Sequence, residues 1–223
     1  MEFFVDTASI TEIRTAQSWG ILDGVTTNPT HVAREGRDHK ELIQEICAIC
    51  PGPVSVETTV ADAEGMIGEG ETFATWAPNV VVKVPVTPEG IRALRALRAK
   101  DIRCNVTLVF SLPQALIAAK AGAAYVSPFV GRLDDNGADG IQLVRDICAA
   151  YRHYGFETRV LAASLRHPVH VVHAALAGAH VATMPFKVME QLFNHPLTAI
   201  GLEKFLADAR ALQAALETRR APV

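Results

Sequence analysis

The chain has little that would tie it to a membrane, a nucleic acid or a disulfide framework. It contains no run of 18 apolar residues and no basic N-terminal segment leading into an apolar stretch, so neither a membrane span nor a secretion signal is expected. An excess of positive charge is absent as well. The net charge is −3 and no long basic cluster offsets it, which argues against a nucleic-acid surface. Cysteine is scarce, with 4 in 223 residues, too few for a disulfide scaffold in a chain this long. Cys47 and Cys50 form a C-x-x-C, but it sits at a helix end just before Pro51-Gly52-Pro53. A redox pair draws its low thiolate pKa from a helix N-terminus instead. Cys104 and Cys148 stand alone, so all four are expected to be packing thiols.

Several catalytic signatures are missing too. There is no G-x-G-x-x-G after a strand, no P-loop, no G-x-S-x-G and no H-E-x-x-H. Their absence removes the common dinucleotide, P-loop NTPase, serine hydrolase and zincin chemistries. His167, His170 and His173 recur at i, i+3, i+6, yet on a helix they fan over about 120° with no carboxylate joining them, so no metal is expected. No internal repeat, linker or low-complexity segment interrupts the chain. A soluble cytoplasmic protein is the expectation.

What is present is a strict alternation of strand and helix. Strands are expected at 3–7, 24–29, 54–59, 80–85, 104–110, 125–130, 160–165 and 181–185. Helices are expected at 9–19, 38–50, 62–76, 88–99, 112–121, 140–154 and 168–176, and a polar loop at 131–137. Ser9 and Glu12 suit a capping box, and Pro168 suits a first helical position. About eight such units with short connections predict a closed (β/α)8 TIM barrel in the α/β class, a single domain over 1–223. Beyond the turn at His195-Pro196, residues 196–223 are expected to add a C-terminal helical extension, an amphipathic helix from about Thr198 to Thr218 with Phe205, Ala209, Leu212 and Leu216 as its apolar stripe.

The chemistry centres on Val80-Val81-Val82-Lys83-Val84-Pro85, a lysine inside a run of β-branched residues. Such a run reads as a strand buried on both faces. A desolvated lysine is driven towards its neutral amine, the nucleophile that forms a Schiff base with a carbonyl. Of the 6 lysines, Lys40, Lys100, Lys120 and Lys204 fall on helices or helix ends, and Lys187 falls past the eighth strand. Lys83 is therefore the expected nucleophile. Alternation along each strand puts Asp6, Thr26, Asn28, Glu57, Asn105, Thr107, Ser127, Phe129 and Ser164 on the same inner face. On the seventh strand it sets Ser164 against Leu161 and Leu165. A barrel built only for packing would fill that layer with Val, Ile and Leu, so a catalytic pocket at the C-terminal mouth is expected. Arg92, Arg95 and Arg98 line the outer side of the helix after Lys83 and read as a solvated face.

Six segments resemble the transaldolase family: Val-Asp-Thr-Ala at 5–8, Gly-Val-Thr-Thr-Asn-Pro at 24–29, Val-Val-Val-Lys-Val-Pro at 80–85, Cys-Asn-Val-Thr-Leu-Val-Phe at 104–110, Tyr-Val-Ser-Pro-Phe-Val-Gly-Arg-Leu-Asp-Asp at 125–135 and Val-Leu-Ala-Ala-Ser-Leu-Arg at 160–166. The compact length is similar to the short subfamily that also contains fructose-6-phosphate aldolase. The resemblance implies that Lys83 forms the Schiff base and that Asp6 takes the proton from the ketose C4 hydroxyl. It implies that Glu57 and Thr107 hold a proton-relaying water. Asn28, Asn105 and Ser127 would bind hydroxyls of the three-carbon unit, and Arg132, Ser164 and Arg166 the phosphate. Glu57 and Phe129 stand where fructose-6-phosphate aldolases carry glutamine and tyrosine, which favours transfer over release of dihydroxyacetone. The resemblance further implies sugar-phosphate substrates of the pentose phosphate pathway, no cofactor, and a homo-oligomer, pentamer or decamer. A class I aldolase of the same subfamily is the alternative.

Overall fold

The structure is a computed structural model that describes residues 1–220, with side chains through 217. The first unit of the chain, Met1–Met189, holds the barrel. Its strands are β1 (Glu2–Asp6), β2 (Gly24–Thr26), β3 (Val54–Glu57), β4 (Val80–Pro85), β5 (Cys104–Val109), β6 (Tyr125–Pro128), β7 (Arg159–Ala162) and β8 (Val181–Met184). They pair in chain order, all parallel, and β1 closes on β8 from Glu2↔Val181 to Val5↔Met184. Around them run α1 (Ile10–Ser18), α2 (Pro29–Glu35), α3 (His39–Ile49), α4 (Ala63–Ala74), α5 (Pro88–Arg98), α6 (Leu112–Ala121), α7 (Val130–Asp134), α8 (Gly140–Tyr154), α9 (Pro168–Ala177) and α10 (Phe186–Gln191). The expected (β/α)8 TIM barrel is therefore the fold. The second unit begins at Glu190 and contains the extra helix α11 (Pro196–Arg220), two residues longer at each end than the amphipathic pattern suggested. The last three residues of the expected extension, 221–223, lie outside the described residues.

Most helices start where a side-chain oxygen accepts an otherwise unpaired backbone N–H. Asp38, Asp62, Thr87, Ser111 and Asp139 cap α3, α4, α5, α6 and α8 in this way. Each such cap is worth about 1 kcal/mol. Ser9 does not follow the capping-box expectation: its side chain makes no cap bond, and its N–H donates to Thr7 Oγ1 at 3.1 Å.

The barrel interior has two storeys, because side chains two apart on a strand share a face. Near the strand starts, Phe4, Val81, Tyr125, Leu161 and Val181 pack as one buried apolar cluster. Two residues further along the same strands stand Asp6, Lys83, Ser127, Ala163 and Thr183, around a cavity at the strand ends. Full burial of a side chain such as Leu161 contributes roughly 1.5–3 kcal/mol, so the lower storey carries the stability that the polar upper storey forgoes.

Three expectations are corrected. The segment 131–137 is not wholly loop, because Val130–Asp134 forms α7 before the turn at Gly137. Pro29 does not merely end a strand. It opens α2, with Asn28 Oδ1 accepting from His31 N at 3.0 Å. At β7 the inner residues are Leu161 and, just past the strand end, Ala163, not Ser164. Ser164 lies beyond the strand with φ +58, a left-handed backbone that breaks the alternation, and it still lines the cavity. Leu108 shows the same effect within β5. A register shift between Val106 and Val109 and a φ of +59 leave it 37% exposed.

Candidate active site

Register places the reactive groups side by side. Glu57 of β3 pairs with Lys83 of β4, and Lys83 with Asn105 of β5. Lys83 is only 7% exposed, and its Nζ lies 3.1 Å from Glu57 Oε2 and donates to the Thr27 carbonyl at 3.3 Å. A buried ammonium survives only with partners of this kind. The carboxylate is close enough to exchange a proton with the amine directly.

Asp6 stands across the cavity from this pair. Thr26 Oγ1 donates to its Oδ1 at 2.7 Å, and His31 Nε2 lies 3.6 Å from its Oδ2. Thr26 and Thr183 hydroxyls are 2.6 Å apart. Because Thr26 spends its single proton on Asp6, Thr183 is the donor in that contact. Burial pushes the Asp6 carboxyl up, but the His31 hydrogen bond, the Lys83 charge and the Thr26 hydroxyl together outweigh it and hold the group below the usual carboxylate range. The charged carboxylate is thereby the favoured form of Asp6.

The remaining polar groups are fixed by one another. Asn105 is fully buried, donating from Nδ2 to Ser55 Oγ at 3.3 Å and accepting at Oδ1 from Ser127 at 2.7 Å. Thr107 Oγ1 is buried with no hydrogen-bond partner among the described residues, an acceptor and donor available to a bound molecule. Asn28 commits its Oδ1 to capping α2, which leaves its amide N–H groups for the cavity. Phe129 packs edge-on against Phe110 at 5.6 Å, with the Arg132 guanidinium 5.7 Å from its ring.

The cavity encloses about 170 Å³. Of the residues expected from sequence, only Glu57 and Arg166 do not line it. Glu57 reaches Lys83 from behind and lines an adjacent hollow of about 180 Å³ with His39 and Val32. Arg166 is half exposed and forms a two-pronged ion pair with Asp135. It flanks Gly131, where an added Cβ would lie 2.7 Å from Arg166 Nε. Lys187, the rival nucleophile, is exposed at the start of α10.

Sequence reasoning had Thr26 on the inner face without giving it a task, and passed over Thr183 and His31. Thr183 follows the same period-2 rule on β8. His31 carried no strand signal, being the third residue of α2. It also missed a carboxylate beside the histidines: Asp134 Oδ2 is 2.9 Å from His170 Nε2, while His170 Nδ1 accepts from Arg166 N at 3.3 Å. Even so, no group of three His, Cys, Asp or Glu side chains among the described residues could hold a metal ion. The thiols are inert by burial, which pushes Cys47 and Cys104 up to about 12. No helix among the described residues is long and apolar enough to cross a membrane.

Residues 3–221 match the model of the transaldolase/fructose-6-phosphate aldolase family. A probable transaldolase from Roseiflexus sp. is 59% identical over 96% of this chain and 99% of its own length. One from Aquifex aeolicus is 59% identical over 93% of this chain and 96% of its own. Among solved structures, thiamine phosphate pyrophosphorylase from Pyrococcus furiosus superposes with a TM-score of 0.61 at 16% identity, over 86% of this chain and 93% of that one, a likeness of fold alone. With a barrel whose upper storey is built around a buried lysine and a match over nearly its whole length, the chain belongs to the transaldolase/fructose-6-phosphate aldolase family.

Proposed function

We propose that the protein is a transaldolase that moves a dihydroxyacetone unit from sedoheptulose 7-phosphate or fructose 6-phosphate to an aldose phosphate, in the pentose phosphate pathway. The observation that carries this reading is Lys83 Nζ, buried, 3.1 Å from Glu57 and facing the same cavity as Asp6. The neutral amine attacks the ketose C2 carbonyl, and loss of water gives a protonated Schiff base. Glu57, with a water held by Thr107, supplies and removes the protons of that exchange. Asp6 then takes the C4 hydroxyl proton. The C3–C4 bond breaks, its electron pair flows towards the iminium nitrogen, and an aldose phosphate departs. The enamine left on Lys83 attacks the aldehyde of the acceptor, Asp6 returns the proton, and water releases the new ketose. The imine is the electron sink, so this chemistry asks for no metal or organic cofactor.

Asn28, Asn105 and Ser127 are assigned to the hydroxyls of the three-carbon unit, and Arg132, Ser164 and Arg166 to the phosphate. Arg166 would take that role by exchanging Asp135 for the substrate anion. Phe129 has no proton to give the enamine, which supports transfer rather than release. Membership of the family supports a cytoplasmic homo-oligomer, a pentamer or decamer, measurable by light scattering.

Incubation with fructose 6-phosphate, with and without erythrose 4-phosphate, tests the reading. Sedoheptulose 7-phosphate should form only with the acceptor, and little free dihydroxyacetone without it. Release of dihydroxyacetone as fast as transfer would make the protein a fructose-6-phosphate aldolase. Borohydride added with the ketose should fix an adduct on Lys83, and an adduct on Lys187 would reject the nucleophile.

A further inference from the structure

The arginines of α5 are all exposed, as expected, but they differ in their partners. Arg92 pairs with Glu89 at 3.1 Å. Arg95 and Arg98, one and two turns on, line a hollow of about 480 Å³ together with Arg103. Cys104, the first residue of β5, and Ala124, just before β6, also line it, so it lies at the strand-start end of the barrel, opposite the mouth. A second hollow of about 770 Å³ shares Arg98 and Arg103 and adds Lys120.

These four cations have no ion-pair or hydrogen-bond partner for their side chains among the described residues. The carboxylates nearest to hand, Asp101 and Glu157, line the two hollows without pairing to them. Arg159, also on the second hollow, is tied to Glu2 at 2.9 Å. Gathering like charges in a chain of net charge −3 works against folding, and nothing in the barrel uses them. The groove is also shaped around one of them. Gly122, the left-handed cap of α6 at φ +88, lies under Arg98, and a Cβ there would be 2.5 Å from its Nη1.

We propose that this groove binds a small anion bearing more than one phosphoryl charge, at a site separate from the sugar-phosphate cavity. Guanidinium forks match phosphate oxygens in pairs, and two adjoining cationic hollows that share two arginines suit two phosphoryl groups. Their volumes fall within the range of small-ligand pockets. An extended nucleic acid would need a basic stripe on a basic domain, which this chain does not have.

The test is calorimetric titration of the full chain with inorganic pyrophosphate in buffered 150 mM salt, a probe that is no substrate of the proposed reaction. Saturable binding is expected that survives Arg132→Ala and Arg92→Ala. Arg98→Ala and Arg103→Ala should each weaken it about tenfold or more, the scale of one lost charge-assisted contact. Arg98→Lys should fall between. No saturable binding overturns the proposal. So does loss of binding in Arg132→Ala with retention in Arg98→Ala, which would put the anion in the mouth. An equal loss in Arg92→Ala and Arg98→Ala would mean diffuse charge attraction and also overturns it. If the groove is instead a contact between copies, Arg98→Glu will lower the mass in light scattering and pyrophosphate will not bind.

Discussion

At the mouth of the barrel Lys83 meets Glu57 at 3.1 Å, Asp6 is clasped by Thr26 and His31, and Arg166 grips Asp135, while Arg132 rests against the Phe129 ring. At the opposite end Arg95, Arg98 and Arg103 share one hollow and pair with no carboxylate among the described residues. The contrast separates two uses of charge. Inside the mouth, low dielectric makes each interaction strong, so an unpaired group would be costly and a paired one can be tuned to donate or accept a proton. At the outer groove, water screens the repulsion and the charges remain free for a ligand.

Substitutions should divide along this line. The largest effect is expected from Lys83→Ala, which removes the nucleophile and should lower transfer roughly 10⁴-fold or more. Steady-state assays with borohydride trapping check it, and normal trapping in the variant would sink the assignment. Asp6→Asn should cost roughly 10²–10⁴-fold as a lost general base. Its partner gives a directional test. Burial raises the Asp6 carboxyl and His31 is the foremost group lowering it, so His31→Ala should let it protonate at higher pH. The acid limb of the kcat/KM profile should then move towards neutrality, and a shift the other way would contradict the clasp. Arg132→Ala should weaken phosphorylated ketoses by about 10–150-fold and unphosphorylated donors far less. Equal losses on both would remove Arg132 from the phosphate site. The smallest effect belongs to the other end. Arg98→Ala and Arg103→Ala should change stability by no more than about 0.5 kcal/mol in urea unfolding. A larger loss would mean that these arginines hold the fold.

The sequence made the strands legible because β-branched runs bounded by Gly and Pro have few other uses, and alternation then exposed Lys83, Asp6 and Glu57. It failed where backbone departs from that period. Ser164 lines the cavity with a left-handed backbone, and Leu108 leaves the sheet at a bulge, neither of which counting by twos foresees. Helix α2 was hidden because Pro29 fits a strand end as well as a first helical position, and His31 disappeared with it. Asn28 before that proline and Gly36 at φ +61 were the available signals of a capped helix. The pairing of Arg166 with Asp135 joins residues 31 apart and becomes visible only once β6 and β7 lie side by side.

The apolar storey beneath Lys83 has a kinetic consequence. Phe4, Val81, Tyr125, Leu161 and Val181 fill the barrel below the cavity, so among the described residues that side is closed and the mouth is the way to Lys83. Under the proposed chemistry the departing aldose must clear that passage before the next enters, and the two substrates take turns. Double-reciprocal plots at several acceptor concentrations should be parallel lines. Labelled glyceraldehyde 3-phosphate should also exchange into fructose 6-phosphate with no other acceptor present, since half of the cycle is complete in itself.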